Sequence, residues 1–217
     1  MKGGTFAARV APLDTARRMP ARHLELESYA DEALMRAYGQ GEAQAFETLY
    51  ARHKGGTYRY ILRHVGADAA TADELHQDLW LRVIDARQRY EVQARFSTWL
   101  YTLARHRVID HWRSHRGISL ASLEEEDVVA RAEESVAASR DRDDDPLHAS
   151  VDAESRRRLL AALAEVPPLQ RDAFLLHVEG RLTLEQIAKL TATPGETVKS
   201  RLRYAYRRLR EALEDLQ

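Results

Sequence analysis

Along 196–210 the chain carries Thr197, Lys199, Ser200, Arg201, Arg203, Tyr204, Arg207 and Arg208, and the stretch holds six bases against one acid. Their spacing puts them on one exposed helix face. Guanidinium and ammonium groups on such a face attract phosphates and donate in pairs to guanine edges, the chemistry of reading a nucleic-acid duplex. Val198, Leu202, Ala205, Leu209 and Leu213 form the opposite, apolar stripe that seats the helix. A solvated basic helix has the same pattern, so the segment before it decides. A short helix over 184–190 presents Leu184, Ile187, Ala188 and Leu190, and Thr191-Ala192-Thr193 makes a tight turn. Ala188 is small where two helices cross. This is helix-turn-helix spacing. Thr183-Leu184-Glu185-Gln186 has the form of a capping box, and Thr193-Pro194-Gly195-Glu196 repeats it with Pro at the first helical position.

A second cluster spans 87–116. Arg87, Arg89, Arg95, Arg105, Arg107, Arg113 and Arg116 stand against Glu91 and Asp110, with Tyr90, Phe96, Trp99, Tyr101 and Trp112 interleaved. Cations that follow a backbone and rings that receive unstacked bases are the equipment for single-stranded nucleic acid. Phe96 and Trp99, i and i+3 at a helix start, read better as core, which leaves the arginines and the polar loop as the contact groups. His106, Asp110, His111 and His115 also suggest a metal-dependent phosphohydrolase. Against it, His111 at i+5 lies off the shared face, nearby arginines repel a cation, and no second acidic cluster completes a site. No cofactor is expected.

A third segment, 73–83, places Leu75, Leu79 and Val83 on a buried stripe and Asp73, Gln77 and Asp78 on another face, with Leu81 nearby. An acidic and amide face beside an apolar residue suits docking on a basic partner helix.

The elements that must hold these groups are helices. Apolar residues recur at helical spacing from Leu34 to Trp112, with Gly39 and Gly41 as a break between two helices and with stripes at 45–50 and 58–65, and again from Leu159, Leu160, Leu163 and Val166 to Leu213, and no stretch alternates as a strand does. The chain has 217 residues, 44% hydrophobic and 31% charged, with only 10 Gly, 6 Pro and no Cys. Few turn residues disfavour an all-β fold. The absence of Cys removes disulfides and thiolate chemistry and fits a reducing, cytoplasmic setting. No window is apolar enough to span a membrane. The formal net charge of −1 conceals segregation: 117–154 holds 12 acids and 3 bases and has no aromatic residue. Such a segment cannot bury enough apolar surface to offset the entropy of ordering. The expectation is an all-α chain of two small helical domains, 28–116 and 156–217, joined by a flexible acidic linker, 117–155, after a disordered leader, 1–27, in which Met19 is an alternative start.

Three motifs resemble those of a bacterial sigma-70 family sigma factor of the short extracytoplasmic-function (ECF) group. Asp73-Glu-Leu-His-Gln-Asp-Leu-Trp-Leu-Arg-Val83 resembles the segment that binds the β′ clamp helices of core RNA polymerase. The run from Phe96-Ser-Thr-Trp to Asp-His-Trp-Arg113 resembles the −10 recognition and melting segment. Leu182-Thr-Leu-Glu-Gln-Ile-Ala with Thr193-Pro-Gly-Glu-Thr-Val-Lys-Ser-Arg201 resembles the −35 helix-turn-helix. The resemblance implies a specificity subunit, not an enzyme, whose partners are core polymerase (β′ clamp helices and β flap) and promoter DNA. It also admits an anti-sigma protein. It assigns Asp73, Leu75, Gln77, Asp78 and Leu81 to the polymerase, and it assigns Arg87, Arg89, Tyr90, Arg95, Arg105, His106, Asp110 and Arg113 to −10 DNA. Thr197, Lys199, Ser200, Arg201, Arg203, Tyr204 and Arg207 go to the −35 duplex. His106 stands where the family often has Asn, and Ala192 where it often has Gly. The rival reading is an operator-binding helix-turn-helix regulator that acts without polymerase, which leaves the first two motifs without work.

Overall fold

The computed structural model describes residues 26–116 and 153–213. Most of the expected leader and acidic linker lies outside these residues. The described residues form eight helices and no strand: α1 Asp31–Gly39, α2 Ala43–His64, α3 Ala69–Ala86, α4 Phe96–Arg116, α5 Ala153–Glu165, α6 Pro168–Val178, α7 Leu184–Thr191 and α8 Gly195–Leu213.

The first four helices pack on Leu34, Leu49, Ile61, Leu79, Val83, Phe96 and Leu100, all buried. Two of the apolar stripes read in sequence, 45–50 and 58–65, belong to one 22-residue helix, α2, which runs through Gly55-Gly56 without a break. Asp68 starts α3 by accepting from the Ala70 and Thr71 amides. Glu32 of α1 accepts from the Phe96 amide at 2.6 Å and so satisfies an unpaired donor at the start of α4. Gly39 ends α1 directly against the loop after α3, where a Cβ would lie 2.7 Å from the Arg87 carbonyl oxygen. The loop 87–95 is thus held from both α1 and α4.

In the last four helices Leu163, Phe174, Leu175, Leu176, Ile187, Val198, Leu202 and Leu209 make the core. Leu160, grouped by spacing with the α5 core, is exposed instead. The capping box at Thr183 is complete: its hydroxyl accepts from Gln186 N, and the Gln186 amide oxygen accepts from Thr183 N at 2.8 Å. The second does not form as expected. Thr193 N donates back to the Ala188 carbonyl to close α7, and its hydroxyl donates to the Thr191 carbonyl. The turn needs a left-handed residue, and Ala192 supplies it at φ 53°, ψ 38°. A Cβ in that region strains the backbone. Ala192→Gly should raise stability by about 0.5–1 kcal/mol, read as a higher urea midpoint at unchanged slope.

The two groups of four are docked, not merely tethered. α2 packs on α5 and α6, and α4 packs on α7. Charge fills the contact. Asp172 of α6 is 4% exposed. It accepts from the Tyr60 hydroxyl at 2.6 Å and from Arg105 Nε at 2.7 Å, and it lies 3.5 Å from His64 Nε2. Glu179 pairs with Arg59 at 2.8 Å and with Arg63, and its carbonyl accepts from the Tyr101 hydroxyl. Gly56 sits where a Cβ would approach the Glu179 carbonyl oxygen to 3.2 Å and the Tyr101 hydroxyl to 2.8 Å.

Candidate nucleic-acid interface

The first surface is the outer face of α3. Asp73, Gln77 and Leu81 are exposed together, Leu81 at 50% of its surface. Helical spacing adds Glu74 and Asp85, both exposed and both absent from the sequence assignment. The result is an apolar knob ringed by acids and an amide. Leu75 is not part of it: it is half-buried and packs against the core, because its position falls on the other side of the helix. Asp78 is only partly available, since it accepts from Arg82 and, at 3.1 Å, from Arg107 of α4.

The second surface joins the loop 87–95 to α4. Arg87, Arg89 and Arg95 are exposed, and Arg87 lies 5.9 Å from the Tyr38 ring centroid. A cleft of about 330 Å³ opens here, lined by Arg89, Tyr90, Gln93, Thr98, Trp99 and Thr102 among others. The Tyr90 ring packs at 5.0 Å from Trp99 and 6.1 Å from Phe96. Burial and then the Glu32 charge push the Tyr90 hydroxyl up to about 12, so it stays protonated. The Tyr90 and Thr98 hydroxyls are both buried without a hydrogen-bond partner among the described residues. Both oxygens are sealed from solvent, so they lie behind the cleft wall and are not presented to its opening. From the cleft, Trp99, Thr102, His106 and Arg113 continue along one face of α4 at spacings of 3, 4 and 7. Loss of surrounding water, and then Arg105, hold His106 below its ordinary pKa, so the exposed ring is neutral at neutral pH.

Sequence reasoning took Trp99 for core, against which it does pack while staying half-exposed to the cleft, and passed over Thr98 and Thr102. Tyr90 at i and Trp99 at i+9 across a loop carry no periodic signal, and only the fold brings them together. Two assigned residues of this cluster are engaged elsewhere. Arg105 lies a little over a quarter-turn round α4 from His106 and is bound to Asp172. Asp110 is paired with Arg107.

The third surface is α8. Lys199 and Arg203 are exposed, and Thr197, Ser200 and Arg207 are half-exposed. Lys199, Arg203 and Arg207 make a basic stripe at spacings of 4, with the Arg207 guanidinium 5.2 Å from the Tyr204 ring. Two assigned residues are off this face. Arg201 is only 5% exposed and Tyr204 only 8%, since both flank the stripe of Val198, Leu202 and Ala205 that seats α8. Arg201 reaches toward the turn, its Nη1 3.4 Å from Thr193 Oγ1.

An acidic docking face, a basic aromatic cleft and a basic helix-turn-helix on one all-helical chain define a two-part nucleic-acid-binding protein with a site for a protein partner. Residues 49–118 match the model of Sigma-70 region 2, and residues 156–209 match that of Sigma-70, region 4. The chain is 31% identical to the RNA polymerase sigma factor CarQ of Myxococcus xanthus over 84% of its own length and 97% of that protein. It is also 31% identical to the ECF RNA polymerase sigma factor SigK of Mycolicibacterium vanbaalenii, over 91% of its length and 94% of the relative. The solved structure of CnrH in complex with the cytosolic domain of CnrY shares the fold at a TM-score of 0.59 and 18% identity, covering 86% of this chain and 99% of that one. The chain belongs to the sigma-70 family of RNA polymerase sigma factors, within the ECF group. It binds core RNA polymerase and promoter DNA and directs promoter-specific initiation of transcription. The operator-binding alternative is not favoured, because both matched regions are accounted for. No helix among the described residues is long and apolar enough to cross a membrane.

Proposed function

We propose that the three surfaces divide the work of initiation, with 28–116 acting as region 2 and 156–217 as region 4. The α3 face of Asp73, Glu74, Gln77, Leu81 and Asp85 docks on the β′ clamp helices. The loop 87–95, with the cleft and the α4 face of Trp99, Thr102, His106 and Arg113, takes the nontemplate strand of the −10 element. Lys199, Arg203 and Arg207 meet the −35 duplex, with Thr197 and Ser200 beside them. The chain supplies specificity and has no catalytic site of its own. It works in the cytoplasm, where polymerase and DNA are. A protein that masks these surfaces, an anti-sigma factor, is a further partner; CnrH, which shares the fold, was solved with a domain of another protein.

The observation that carries this reading is the cleft. It has room for one unstacked base, an aromatic wall from Tyr90 and Trp99, and Arg89 and Gln93 at its edge beside Glu91. Transcription of genomic DNA by matched core polymerase, with and without this chain, tests it by the 5′ ends produced. New starts that share two upstream elements support it, and no new starts together with no binding to core would sink it. Gln93→Ala removes a side-chain amide from the exposed part of the cleft lining. Its start sites should shift in base preference at a single −10 position, with discrimination there changed about tenfold. An equal loss at all promoters would remove Gln93 from base reading.

A further inference from the structure

We infer that α1 is a clamp that shapes the base-reading loop 87–95, and that Glu32 and Gly39 are its two positioning residues. The inference rests on the reading of the cleft given above. Helix α1 carries no residue of the three surfaces, yet it holds the loop at both ends. At the start, Gly39 lies against Arg87, where a Cβ would come within 2.7 Å of the carbonyl oxygen, and the Arg87 guanidinium lies 5.9 Å from the Tyr38 ring centroid. At the end, Glu32 accepts from the Phe96 amide at 2.6 Å. The acceptor comes from 64 positions away because the local chain has none to offer. Arg95 precedes α4 at its cap position, and an Arg side chain only donates.

The clamp is itself fixed. Asp31 accepts from Arg52 at 2.6 Å and bonds to His53 Nε2 at 2.7 Å, while Leu34 and Met35 are fully buried, so α1 is seated on α2. The loop supports itself much less. Its backbone bonds back at Arg89 N to the Ala86 carbonyl and at Gln93 N to the Glu91 carbonyl. The two grips sit seven residues apart on α1, about 10 Å at 1.5 Å per residue. Extended, the stretch from Arg87 to Phe96 would span about 30 Å. Pinning its ends on α1 forces it to arch, and the arch sets Arg89, Tyr90 and Gln93 round the cleft. Glu32 reaches the wall as well: after burial, its charge is what most raises the Tyr90 hydroxyl. Base reading tolerates little movement in such a frame, since a displacement of about 1 Å loosens a recognition site.

Core RNA polymerase loaded with the full-length chain, transcribing a promoter library randomised through the −10 element, tests the clamp. Hydrogen exchange of the Phe96 amide in the free chain is measured beside it. Glu32→Ala should lower base discrimination at one −10 position about tenfold, speed exchange at Phe96 and leave affinity for core unchanged. Glu32→Gln keeps a carbonyl acceptor and should restore both discrimination and protection. Gly39→Ala must displace the Arg87 backbone, so it should lower the same discrimination while Phe96 stays protected. Gly55→Ala, whose Cβ meets only the end of the Arg59 side chain, should change neither. Unchanged discrimination in either Glu32→Ala or Gly39→Ala removes that grip and overturns the clamp. So does Glu32→Gln behaving as Glu32→Ala, or an equal loss at every promoter position, which marks a loosened fold. An unsubstituted chain that fails to bind core, or binds and shows no −10 preference, overturns the reading beneath the inference instead, while Phe96 exchange still judges the Glu32 grip.

Discussion

Leu81→Glu should reduce binding to core RNA polymerase by about thirtyfold or more and leave the fold intact. Leu81 is the one apolar knob on the acidic α3 face and is half exposed, so no partner inside the chain is lost on substitution. Central apolar anchors of interfaces lose about 2 kcal/mol or more when removed, and a buried charge adds a desolvation cost. The acids around it act differently. Asp85→Ala at the rim should slow association and weaken its salt dependence, with a small change in dissociation rate. Binding to immobilised core, alongside helical circular dichroism and thermal melting, checks both. Unchanged affinity of Leu81→Glu would move the polymerase contact off α3.

Arg105→Ala should cost about 3–5 kcal/mol of stability, because it leaves Asp172 buried without its cation. Burial alone would raise the pKa of Asp172. Arg105, then His64 and the Tyr60 hydroxyl, overcome this and hold it well below the usual carboxylate range. Replacing both charges, as Arg105→Met with Asp172→Leu, should recover most of the loss, since a well-packed apolar pair can match a buried ion pair. Acid acts on the same cluster. Burial holds His64 below its ordinary pKa against the pull of Asp172, with Arg171 and Arg105 adding to the depression. The Tyr60 and Trp112 rings enclose it. The neutral ring is therefore the form that packs. Its contribution is complete above about pH 6.5, the unfolded value, and is lost as pH falls toward the lower folded value. Asp172 contributes above about pH 4 and loses its contribution only on further acidification. Urea midpoints should drop between pH 7.5 and 5.5 and drop less in His64→Phe. His76 and His106 are lowered as well, so the difference between the two proteins is the readout. Equal slopes would remove His64 from the effect.

The helical class, the break at Gly39 and Gly41, the complete capping box at Thr183 and the apolar stripe of α8 were legible from spacing alone, because each depends on residues within a turn or two. The contacts between regions were not. Asp172 reads as one more surface acid of α6, and nothing near it in sequence announces Tyr60 or Arg105, 112 and 67 positions away. The same blindness put Arg105 on the DNA face: a helix shows which residues share a side but not which side a distant helix will cover. Arg201 and Tyr204 failed for a subtler reason, since residues flanking an apolar stripe go to whichever surface the neighbouring helices leave. The cleft was half visible, as a basic loop, while its aromatic wall needed α4 in place.

The buried Asp172 socket also sets how the chain responds to dissolved ions. Contacts to nucleic-acid phosphates release counterions, so DNA affinity falls by orders of magnitude as salt rises from about 50 to 200 mM. A carboxylate sealed among Tyr60, His64 and Arg105 is shielded from those ions and weakens little. Rising ionic strength therefore weakens the nucleic-acid contacts long before it loosens the packing between the two groups of helices.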